Sequence, residues 1–90
     1  MRIKLLSAQA NAPASGAATN MSNATCVLAV NTAAAGTHYV VTLTNKDEAA
    51  VLGTFTLLGG TDKILDKMPE DEIFSTNAAV KLTKVAIQSA

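Results

Sequence analysis

The stretch from Val51 to Phe74 limits this chain more than any other. It reads as a strand, a glycine turn, a second strand and a proline turn in unbroken succession. Val51, Phe55 and Leu57 share one parity while Thr54 and Thr56 take the other. That alternation suits a half-buried strand, because successive side chains point to opposite faces of a sheet. Gly59-Gly60 supplies the positive φ of a tight reversal. Pro69, followed by Glu70 and Asp71, suits the second position of a turn.

Ninety residues make one domain, and the expectation is a single β-sandwich domain over residues 1–90. A chain of this size buries roughly 60–65% of its unfolded surface. Aromatic residues are 3% of the chain, with Tyr39, Phe55 and Phe74 the whole set, so Val, Ile, Leu and Ala must fill a thin core. Seven basic and seven acidic residues cancel. The absence of a basic excess argues against nucleic acid and anionic membrane as partners. Near-neutral charge with 49% apolar composition suits either a protein packed in an assembly or an ordinary neutral domain.

The single cysteine, Cys26, excludes an internal disulfide and reads as a buried, inert thiol between Thr25 and Val27. No apolar run is long enough for a membrane-crossing helix. Met1-Arg2-Ile3-Lys4 imitates the start of a signal peptide, but only Leu5-Leu6 follows where ~7–15 apolar residues are needed. The expectation is a protein made in the cytoplasm without a signal peptide.

Along the chain, Arg2 to Ser7 alternates well enough for a first strand whose charged face fits a sheet edge. Ala8 to Asn23 is small, uncharged and interrupted by Pro13 and Gly16. It reads as a long loop or arm, either flexible or laid against a sheet or a neighbouring subunit. Ala12, Pro13, Ala14, Gly16 and Met21 are its candidate partner-binding residues. Thr25 to Asn31 is apolar on both faces and fits a central strand, with a buried helix turn as the alternative. Thr37 to Thr44 and the strand beginning near Ala50 form a hairpin across Asn45-Lys46-Asp47-Glu48.

Asp62 to Lys67 reads as a peripheral strand, Glu72 to Ser75 as a short one, and Ala79 to Ile87 as the closing strand. Val80 and Leu82 differ in parity from Val85 and Ile87, which predicts a bulge near Thr83-Lys84. About seven short strands, eight if the arm adds one, indicate a small antiparallel β-sandwich or barrel. Leu28, Val41, Leu43, Phe55, Leu57, Ile73, Val80 and Leu82 are the expected core.

Catalytic chemistry is sparse. His38 is the lone histidine and lies on the outward parity of a strand, so a surface histidine outweighs a catalytic one. Glu70, Asp71 and Glu72, with Asp62 and Asp66 nearby, lack the alternating ligands and turn glycine of a calcium loop. Gly59-Gly60 has neither the following lysine nor the helix of a phosphate loop. The reading is a non-enzyme that works without metal or cofactor.

The opening Met-Arg-Ile-Lys-Leu-Leu-Ser-Ala-Gln-Ala-Asn-Ala-Pro-Ala-Ser-Gly, the run from Gly53 to Leu57, Lys67 to Ser75 and Val80 to Val85 together carry a resemblance. They resemble small uncharacterised proteins of marine tailed bacteriophages, notably those of cyanobacteria. The resemblance implies a virion structural protein of the capsid decoration or cement type, present in many copies or as a homo-oligomer. Its implied partner is the major capsid protein or another virion protein, and its implied location the virion. A tail or fibre component is the alternative within that class. Outside it stand a binding module for host glycan and an OB-like module for single-stranded nucleic acid. Both want exposed or stacking aromatics, and this chain has no Trp and one Tyr.

Overall fold

Alternating apolar and polar residues, with turn residues between them, commit this chain to antiparallel strands stacked in two sheets. A computed structural model describes residues 2–88. Eight strands follow in order: β1 (Arg2–Leu5), β2 (Ala10–Asn11), β3 (Cys26–Asn31), β4 (Tyr39–Thr44), β5 (Val51–Leu57), β6 (Asp62–Asp66), β7 (Glu72–Ser75) and β8 (Val80–Gln88). The first sheet runs β1-β8-β3-β6, and β2 follows β1 along the same flank of β8. The second runs β5-β4-β7. The molecule is a small antiparallel β-sandwich.

The turns form where their residues predict. Thr61 N–H donates to Leu58 C=O at 3.1 Å with Gly60 at φ 75°, a left-handed position that glycine takes without penalty. Gly59 has a different role: a Cβ there would stand 2.1 Å from the Ala34 carbonyl oxygen, so the missing side chain allows two backbones to meet. Asp71 N–H donates to Met68 C=O at 3.0 Å, which places Pro69 at the second position of its turn. Asn45 closes the β4–β5 hairpin by accepting Ala50 N–H on its Oδ1 at 2.7 Å.

Val27, Ala29, Val41, Leu57, Ile73, Val80 and Leu82 are buried together between the sheets, with Ala12 and Ala24 among them. Complete burial of such a side chain is worth about 1.5–3 kcal/mol. Leu43 and Phe55 pack against this core while only partly buried.

Leu28 is a correction: the core face of β3 carries Val27, Ala29 and Asn31, and Leu28 stands on the outer face paired with Thr83 and Ile64. A strand apolar on both faces lets parity serve either choice. The expected bulge at Thr83-Lys84 is also absent. β8 keeps one register against β3 from Val80 to Lys84, and the described register shift lies between Leu43 and Thr44 against β5. Val85 and Ile87 consequently face outward, beside Leu5 and Ile3.

Residues 8–23 lie against their own two sheets. Leu6 N–H and Ala12 N–H donate to Lys84 and Val80 carbonyls, both at 2.8 Å, and Ala10–Asn11 pairs with Leu82 and Lys81 as a true strand. The chain then crosses to the other sheet. Pro13 C=O accepts Ser75 N–H at 3.0 Å, and Thr19 exchanges main-chain bonds of 3.1 and 2.8 Å with Ile73. Met21, Ser22 and Asn23 follow in a left-handed turn at φ 53°, 56° and 60°. The small residues suit this crossing, since they lose little side-chain entropy and let the chain approach closely. The segment closes one side of the sandwich, where its β2 part flanks β8 and Thr19 flanks β7. On the opposite side the edges of β5 and β6 stand open.

Candidate interaction surfaces

Between the open edges of β5 and β6 lies a cleft of about 310 Å³. Val41, Leu43, Phe55 and Leu65 make it apolar, and Asp66 is the one ionisable side chain on its wall. Gly53 in mid-strand widens it, since a Cβ there would meet nothing within 4 Å. Asp66 accepts a hydrogen bond from Cys26 Sγ at 3.5 Å. Burial first, then that bond and the Asp66 charge, push the Cys26 thiol above its ordinary pKa, so the sulfur stays protonated and unreactive.

Other polar groups act within the fold. His38 is exposed and accepts Gly59 N–H on Nδ1 at 3.2 Å. Lys67 is buried, its Nζ donating to the Met68 and Pro69 carbonyls at 3.2 Å. Burial lowers its pKa, Asp71 and Glu72 pull it back up, and Lys84 adds to the lowering. Among the described residues no group of three or more His, Cys, Asp or Glu side chains could hold a metal ion. No helix of the described residues is long and apolar enough to cross a membrane.

The second surface is the outer face of the first sheet. Antiparallel partners share a face, so Ile3 and Ile87, Leu5 and Val85, and Leu28 and Ile64 all lie on it. Leu5 is 67% exposed, with Ile3 and Ile87 also exposed. Val85 and Cys26 are buried there, though neither belongs to the core between the sheets.

The candidate residues of the 8–23 segment do not converge. Ala12 is buried in the core, and Pro13 and Met21 are half-buried, Met21 packing against the core. Ala14 and Gly16 are exposed, and Gly16 N–H donates to Glu48 Oε1 at 3.1 Å. Both surfaces described above went unmarked in the sequence. The parity mismatch in β8 was the signal for the outer face: an apolar pair of the wrong parity marks a second apolar surface as readily as a bulge.

Comparison of the chain with protein-family models, curated proteins and solved structures finds no match.

Proposed function

We propose that this chain is a non-enzymatic structural protein of a virus particle, a decoration or cement protein attached in many copies to a protein shell. The observation that carries this reading is the outer face of the first sheet. Ile3, Leu5 and Ile87 are exposed there around buried Val85. Contiguous exposed apolar surface on a soluble domain marks a contact site. Zero formal net charge fits a protein surface better than a polyanion as the partner. The resemblance to proteins of marine tailed phages supplies the particle, and the major capsid protein is the proposed contact.

The test is co-sedimentation of the purified protein with shells lacking it. The wild type should pellet with the shells at saturable stoichiometry. Leu5→Glu combined with Ile87→Glu, which puts two carboxylates on the face while sparing the core, should remain in the supernatant. Equal binding by both proteins would remove this face from the account, and failure of the wild type to bind would remove the shell as partner.

A further inference from the structure

The edges of the two sheets are treated unequally. β1 carries Arg2 and Lys4, and β6 carries Asp62, Lys63 and Asp66 among its five residues. The free flank of β7 is occupied by Thr19. Charge and cover are the ordinary protections of an edge against pairing with another chain. β5 has neither: its seven residues, Val-Leu-Gly-Thr-Phe-Thr-Leu, hold no charge and no proline, and all but Phe55 and Leu57 are exposed. We infer that β5 is a self-pairing edge, through which two copies of this chain join antiparallel about a two-fold axis.

The hydrogen-bond pattern fixes which groups are available. Val40 C=O accepts Thr76 N–H at 3.1 Å, and Val40 N–H donates to Thr76 Oγ1 at 3.2 Å, so its main chain points toward the β7 side. Alternation turns Val41 and Leu43 toward β5, where they pair with Phe55 and Gly53. The main-chain groups of Thr54 and Thr56 therefore point outward from the sheet. Between two copies, Thr54 of one and Thr56 of the other become reciprocal hydrogen-bonded partners, with Phe55 facing Phe55 at the axis.

The same register sets Leu52 opposite Leu58 of the second copy. These are two of the most exposed apolar side chains, at 53% and 50%. Gly53, whose backbone does not require glycine and whose side-chain space is open, leaves room at the joint. No like charges meet. Equivalent self-pairing of β6 would set Asp62 against Asp66, which is the charge argument for β5 as the joining edge. The contact uses the same patch on both copies and closes at two, joining the three-stranded sheets into one of six strands.

Sedimentation equilibrium tests this without any shell, so its outcome is separate from that of the attachment reading. The wild type should have twice the monomer mass of 9.2 kDa. Thr54→Lys combined with Thr56→Lys, two exposed positions that would set lysine against lysine across the axis, should sediment as a monomer with an unchanged circular dichroism spectrum. Hydrogen exchange gives a second readout that needs no variant: the Thr54 and Thr56 amides should be protected at high protein concentration and lose protection on dilution. A monomeric wild type, a dimer that survives the double lysine substitution, or unprotected Thr54 and Thr56 amides at high concentration would overturn the proposal.

Discussion

Asn31, at the end of β3 in one sheet, donates its side-chain amide to the carbonyl of Leu57, at the end of β5 in the other, at 2.9 Å. The same amide reaches Thr37 C=O at 3.1 Å, and Asn31 Oδ1 accepts Ala33 N–H at 2.9 Å. The side chain is wholly buried, and main-chain bonds tie Asn31 to Gly60 and Thr61 as well. One residue thus joins both sheets and the turn between β5 and β6. A buried polar group stabilises only when its partners are met, and here they are.

Asn31→Ala should therefore cost about 2–4 kcal/mol, chiefly by orphaning the Leu57 carbonyl. For a domain of this size that lowers the melting temperature by roughly 10–25 °C. Asn31→Asp should lose at least as much at neutral pH, with part recovered on acidification. A buried carboxylate facing a carbonyl has a raised folded pKa, so its stability is present at low pH and lost as pH rises. Thermal melts of the three proteins at acid and neutral pH measure both effects.

Leu82 and Leu28 face opposite ways in the same sheet. Leu82→Ala should cost about 3–5 kcal/mol because its cavity opens within the core. Leu28→Ala, on the half-buried outer face, should cost about 1 kcal/mol. Denaturant midpoints at constant slope separate them. Equal losses would return Leu28 to the interior.

Gly59 and Gly60 should respond differently to alanine. At Gly59 the new methyl group meets two backbone carbonyls, of Ala34 and Thr37, which cannot swing aside as a side chain can. Gly59→Ala should cost about 3 kcal/mol. Gly60→Ala meets no atom and bears only the left-handed backbone penalty, about 1–2 kcal/mol. Urea unfolding of both variants orders them.

Lys67 predicts the sign of an alkaline pH dependence. Its folded pKa is lowered by burial, so between that value and the ordinary lysine range the unfolded chain holds the proton and the folded chain has released it. The unfolded state binds more protons there, and stability rises with pH. Lys67→Met should abolish that rise, as followed by denaturant melts from neutral to alkaline pH.

Much of the fold was legible because its signals are local. Alternation located β4 and β5, and Asn45, Gly60 and Pro69 marked their turns. The features missed depend on distant partners. Asn31 looks like the polar end of a strand, and its acceptor Leu57 lies 26 residues away. The eighth strand that the arm was allowed to add lies at Ala10–Asn11, whose weak strand propensity left its place open, and it pairs because β8 offers an unoccupied flank. Cys26, Leu28 and Val30 compete with Val27 and Ala29 for the core, and the register against β6 and β8 decides between them. The candidate surfaces escaped for the same reason: each is assembled from strands remote in sequence.

The central functional claim is attachment to a particle in many copies, and quantitative mass spectrometry of purified virions from the genome encoding this chain tests it most directly. The account predicts this chain in intact particles, at a copy number in fixed proportion to the major capsid protein. Its absence from particles, while it is abundant in the infected cell, would contradict that claim.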